Sequence, residues 1–129
     1  MIAIDASVLI AHLNPADPHH HAATHILLAA GPGQMLVHSI TLAEVLVGGV
    51  RVGQGLSMRN DLYAAGIALA PSDDEEALRL AELRVATGLK LPDCCVLDVA
   101  IRNRAGLATF DKVLAAEAHK FAVTVAGDQ

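Results

Sequence analysis

The sequence predicts an α/β protein with an open, doubly wound, mainly parallel sheet of four to five strands and helices on both faces. Three observations carry that expectation. Short, wholly apolar runs such as "IAI" and "LATF" alternate with segments of helical period. The runs are apolar throughout rather than every second residue, which marks strands covered on both faces. The intervening segments are long enough for right-handed crossovers, and several end on Gly, Pro or Asn.

The elements follow in order. "IAI" at 2–4 is a short buried strand, and "SVLIAHL" at 7–13 is a helix broken by Asn14, Pro15 and Pro18. "HHAATHILLAA" at 20–30 is a helix stopped by Gly31, Pro32 and Gly33, and "QMLVHS" at 34–39 is a strand. "LAEVLVGG" at 42–49 is a helix closed by its glycines. A helix over about 55–65 precedes the strand "IALA" at 67–70. "EEALRLAELRVAT" at 75–87 is a helix ending at Gly88. "DCCVLDVAIRNRA" at 93–105 is apolar almost all round, so it is a buried helix. "LATF" at 107–110, "KVLAAEAHK" at 112–120 and "AVTVA" at 122–126 complete the pattern as strand, helix, strand.

The 129 residues suit one domain spanning 1–129. A chain of this size buries roughly two-thirds of its unfolded surface. The net charge of −5 argues against a protein that coats nucleic acid by bulk charge, though not against a nucleic-acid enzyme. The aromatic residues, Tyr63, Phe110 and Phe121, are too few for an extended base-stacking surface. There is no long apolar stretch, so no membrane span is expected. No basic segment leads into an apolar one, which fits a cytoplasmic protein. Cys94 and Cys95 are neighbours in "CCVLDVAI" and read as reduced core thiols.

Four carboxylates stand out. Asp5 follows the first strand and Asp111 follows "LATF". Glu44 lies in "TLAE", a capping-box pattern, and Asp93 opens the buried helix. Each acid has a structural explanation as a helix cap worth about 1 kcal/mol. Their joint placement says more. In a parallel sheet, helix starts and strand carboxyl ends share one edge, where sites form. With the first strand central, Asp5, Glu44 and Asp111 converge there, and Asp93 arrives from the helix leading into "LATF". Two like charges about 4 Å apart repel by roughly 4 kcal/mol at an effective dielectric of 20. A divalent cation relieves that repulsion, and all-oxygen ligands favour Mg²⁺ or Mn²⁺ over zinc. Such a pocket suits phosphate chemistry.

Asp5 in "IAIDASVLIA", Glu44 in "SITLAEVLVG", Asp93 in "LKLPDCCVLDVAI" and Asp111 in "LATFDKVL" together resemble the four acidic motifs of PIN-domain ribonucleases, most closely the VapC toxins. The segment "NPADPHHHAA" is also typical of that group, and the resemblance spans essentially the whole chain. It implies an Mg²⁺- or Mn²⁺-dependent endoribonuclease with catalytic Asp5, Glu44, Asp93 and Asp111. Asp5 and Asp93 would be the main metal ligands. It implies a homodimer restrained by a cognate VapB-type antitoxin, with operator DNA bound only through that antitoxin. Thr109 matches the family's threonine. Two positions depart from it: Ala6-Ser7 stands where many relatives carry Asn or Thr-Asn, and Phe110 where relatives often have a polar or basic residue. Ser7 remains able to hydrogen-bond the site.

Asp98 lies roughly 140° around the helix from Asp93 and four residues before Arg102. Both pairing with Arg102 and a supporting site role stay open for it. His21 and His25 have zinc-like spacing but no third ligand, so they read as a solvated face. "SDDE" at 72–75 reads as a second capping box. Lys90 and Lys112 neighbour the acidic motifs and read as surface charges within reach of RNA phosphates. Residues 54–67, with the early helices, are the expected dimer face. The rivals are a phosphoacceptor or phosphatase module and a non-catalytic binding module. Asp5 lacks the second acid that the former usually needs, and the presence of all four acids disfavours the latter.

Overall fold

The structure is a computed structural model and describes residues 1–126. Five parallel strands form one sheet in the order β3-β2-β1-β4-β5. They are β1 (Ile2–Ile4), β2 (Met35–Val37), β3 (Ile67–Leu69), β4 (Gly106–Ala108) and β5 (Val125–Ala126). The expected central position of the first strand is therefore observed. β1 pairs Ile2 with both Met35 and Gly106, and Ile4 with Ala108.

Each strand is apolar throughout, yet successive side chains serve different cores. Ala3, Leu36 and Leu107 face one layer, while Ile4, Met35, Val37 and Ala108 face the other. This is the two-residue strand period expressed between two apolar faces. The first layer receives Leu83 of α5 (Glu76–Thr87), Cys94, Val96, Leu97, Val99 and Ala100 of α6 (Leu91–Arg102) and Leu114 of α7 (Lys112–Lys120). The second receives Val8 and Leu9 of α1 (Ala6–Leu13) and Leu27 of α2 (His20–Ala30). It also receives Val45 of α3 (Ser39–Arg51) and Leu62 of α4 (Gly55–Ala64). α6 is the most buried element, since every residue from Cys94 to Ala100 is inaccessible or nearly so. Truncating Leu97 to alanine there would cost about 2–5 kcal/mol. Cys94 and Cys95 are free and buried as expected, and burial pushes the Cys95 thiol up to about 11. Among the described residues, no helix is long and apolar enough to cross a membrane.

Several boundaries differ from expectation, each for a local reason. α3 begins at Ser39, because the His38 ring accepts a hydrogen bond from the Ile40 amide (3.0 Å) and acts as the cap. Thr41 is thus inside the helix, and "TLAE" is not a capping box. Gly48 and Gly49 do not end α3 either. A Cβ on Gly49 would sit 3.0 Å from the Met58 Cε, so the glycine lets α4 pack closely. α5 begins at Glu76 without a Ser72 cap; instead Asp73 Oδ1 accepts from the Glu75 amide (2.9 Å). It ends as expected on Gly88, which is left-handed at φ 73°. α6 starts at Leu91, with Pro92 in its first turn, and stops at Arg102. β5 is shorter than expected, because Ala122 adopts φ 59° and breaks the extended run.

Candidate active site

The carboxyl edge of the central strands builds the site. Asp5 leaves β1 and Thr109 leaves β4 directly beside it, since the Asp5 amide donates to the Ala108 carbonyl (2.9 Å). Asp5 stands at the N-cap of α1, but its carboxylate makes no capping bond. Instead the Ser7 and Thr109 hydroxyls both donate to Asp5 Oδ2, each at 2.7 Å. Those oxygens in turn accept from the Phe110 amide (3.1 Å, Ser7) and the Asp111 amide (3.0 Å, Thr109). A closed hydrogen-bonded ring therefore locks the end of β1 to the β4–α7 turn. Both hydroxyls use Oδ2, and no hydrogen bond among the described residues engages Oδ1. The carboxylate is 7% exposed. A buried carboxylate oriented by two donors, with an oxygen to spare, is arranged for something other than starting a helix.

Asp111 does cap. Its Oδ1 accepts from Val113 (2.9 Å) and Leu114 (3.1 Å), which orients the group at the start of α7. Asp93 lies in the first turn of α6 and is half-buried. Its carboxyl is raised from the usual range, first by burial and then by Asp5, Asp111 and Glu44; Lys90 opposes the shift. The four acids thus share one electrostatic neighbourhood. Among the described residues, none of the four forms an ion pair. Nor do any three His, Cys, Asp or Glu side chains form a ready-made metal cage there. Mg²⁺ needs no such cage, because one or two carboxylates plus water ordinarily bind it. The all-oxygen donor set fits a hard cation of that kind.

The sequence profile of the PIN domain matches residues 2–120. The chain belongs to the PIN domain family. Three solved structures share the fold. One is a toxin–antitoxin complex from Klebsiella pneumoniae, 29% identical over 85% of each chain, with a TM-score of 0.68. Another is VapC20 from Mycobacterium tuberculosis, described as a toxin that cleaves the sarcin–ricin loop. It is 19% identical, covers 91% of this chain and 95% of that one, and has a TM-score of 0.70. A third is VapBC2 from Rickettsia felis bound to a promoter DNA fragment, 15% identical over 97% of each chain, with a TM-score of 0.66. None of the curated proteins matches the chain significantly in sequence.

Two further features flank the PIN pocket. On the α5–α6 side, the buried Asp98 accepts from Arg79 Nε (2.9 Å) and lies 3.4 Å from Arg102 Nε. Arg79 also reaches Asp73 (3.0 Å), and Arg102 approaches Glu76 (3.5 Å), which takes a 3.0 Å hydrogen bond with His38. The His38 Nδ1 accepts from Ile40, so Nε2 carries the proton given to Glu76. Asp98 therefore pairs with Arg102 as expected, but Arg79 is its closer partner. Arg79 was not singled out in the sequence. The available signal was its position four residues before the buried Leu83, which sets a cation on the core-facing stripe of α5. On the other side, the His19 ring stacks on Phe110, with centroids 4.5 Å apart and planes 18° from parallel. His12 and His20 stack nearby, and among the described residues the histidines, His21 and His25 included, form no metal cluster.

Proposed function

We propose that this chain is a divalent-metal-dependent endoribonuclease, the toxin of a toxin–antitoxin pair, which hydrolyses RNA phosphodiester bonds. The single observation that carries the reading is the mutual repulsion at Asp93. Burial first, and then three other carboxylates, raise its pKa, and no described arginine or lysine forms an ion pair with any of the four. Asp5 and Asp93 would hold Mg²⁺ or Mn²⁺. The ion, when bound, supplies Lewis acidity toward a phosphate oxygen and lowers the pKa of a coordinated water. Glu44 and Asp111 would complete the acidic wall and orient or deprotonate the attacking water. Ser7 and Thr109 are positioning residues, fixing Asp5 through Oδ2. Lys90 and Lys112, both exposed beside the pocket, would meet RNA phosphates.

The assembly follows the same reading. Similar structures include toxin–antitoxin complexes, one of them on promoter DNA, which supports an antitoxin partner. On this reading it is of the VapB type, and operator DNA would be bound only through it. Residues 54–67 with the early helices would form the face of a cytoplasmic homodimer, and Leu56, Tyr63, Ile10 and Leu28 are exposed apolar side chains there. The deciding experiment is cleavage of total RNA with Mg²⁺ or Mn²⁺ by the wild type and by Asp5→Asn. Cleavage by the wild type alone supports the proposal, and equal cleavage by both overturns it.

A further inference from the structure

We infer that His19, backed by Phe110, is a single-nucleobase platform at the lip of the acidic pocket. The inference rests on the nuclease reading for its choice of ligand, an RNA strand threading past the carboxylates. It begins with where the aromatics are spent. The chain has no Trp, one Tyr and two Phe. Phe110 stands between Thr109, which holds Asp5, and Asp111, which walls the pocket. Its amide is tied to the pocket through Ser7 (3.1 Å). Any base seated on this stack is thus indexed to Asp5 by two hydrogen bonds.

His19 is the exposed partner. It lies in the Pro-rich turn before α2, and its amide donates to Asp17 Oδ1 (2.8 Å). Its side chain is 59% exposed, while one ring face lies against Phe110. The arrangement is a shelf: a half-buried Phe110 ring below and a flat, mostly exposed His19 ring above. A base can stack there whatever its identity, because every base offers a π-face. A phosphate is the poorer ligand. The Asp17 carboxylate lies 3.8 Å from His19 Nδ1 and already answers any positive charge on the ring. The extended aromatic surface of single-strand-binding proteins is absent, so the shelf holds one base. It fixes strand register at the cut rather than coating the RNA.

The test uses the full chain carrying Asp93→Asn to prevent cleavage, because Asp93 is not tied to Phe110. The probe is a single-stranded RNA decamer of randomised flanks with 2-aminopurine at its centre, whose fluorescence is quenched on stacking. Quenching on binding is expected. His19→Ala should weaken binding by roughly tenfold, within the range of one base–aromatic stack, and abolish the quench. His19→Trp should retain both, and His19→Lys should restore neither. An abasic centre should weaken binding to the parent about as much as His19→Ala does, and should leave the alanine variant indifferent. A merely structural His19 would lose equally on both probes. That result, rescue by lysine, or no RNA binding at all overturns the inference. Absence of cleavage by the wild type with stacking intact would instead remove the nuclease reading and leave the platform standing.

Discussion

Two groups of carboxylates lie at the two ends of α6, and they are treated oppositely. At its C-terminal half, Asp98 is held by Arg79 and Arg102, which also reach Asp73 and Glu76. Donating hydrogen bonds to Asp98, then to Asp73, raises the Arg79 guanidinium, and Arg79 in turn holds the Asp73 carboxyl below its usual range. At the N-terminus of α6, Asp93 is half-buried among three other acids and is raised instead. A carboxylate kept for folding is given a cation by the chain. The Asp93 group has no such cation among the described residues, and on the proposed reading a bound ion would neutralise it. Arginines were available in the same helices, so leaving the Asp93 group unpaired is a property of the site rather than of a cation-poor sequence.

Breaking the unpaired group should affect chemistry most. Asp5→Asn is expected to lower RNA cleavage by about a thousandfold if Asp5 holds the metal as proposed, more than the 10- to 100-fold effect of a supporting residue. Circular dichroism should show the fold retained. Breaking the paired group should affect folding instead. Asp98→Ala leaves two guanidinium groups with less compensation and should cost about 2–3 kcal/mol in urea titration. The partial exposure of Arg79 and Arg102 holds this below the value for a sealed pair. Cleavage per folded molecule should stay near wild type. If activity falls beyond the folded fraction, Asp98 belongs to the site and the contrast fails.

Divalent cation sharpens the difference. Mg²⁺ or Mn²⁺ at tenfold excess over its Kd should stabilise the wild type by about 1.4 kcal/mol, a Tm increase of roughly 5 °C. Asp93→Asn should raise Tm without added cation, because it removes one repelling charge, and should lose the cation response. A fall in Tm on that substitution would mean that Asp93 is a structural acid. The smallest effect concerns pH. Asp73 has a depressed folded-state pKa, so its contribution is present above the ordinary value of 3.8 and is lost as pH falls through the lower folded value. Asp73→Asn should therefore lower Tm slightly at neutral pH, and the gap should close only below about pH 4.

Element order, the central strand and the juxtaposition of the four acids were legible in the sequence, because apolar runs and crossovers leave few topologies. The two-face sorting of Ala3 from Ile4 was not, since a wholly apolar strand hides its period. His38 as the α3 cap was equally hidden. It takes Ile40 as donor and Glu76 as acceptor, and Glu76 comes from an element 38 residues away. Capping boxes at "TLAE" and "SDDE" matched the local pattern, but tertiary partners outcompeted them. Among the site's supports, Ser7 and Thr109 were anticipated as candidates. The Arg79–Asp98 pairing needed the packing of α5 on α6, which no short-range spacing reveals.

The Thr109–Asp5 bond joins positions 104 residues apart, so the rim of the pocket is assembled from the two ends of the chain. During synthesis, Asp5, Glu44 and Asp93 all emerge from the ribosome before β4 exists to align them. On the proposed nuclease reading, the growing chain would carry these three acids in a disarmed form until the fourth strand slots in beside the first.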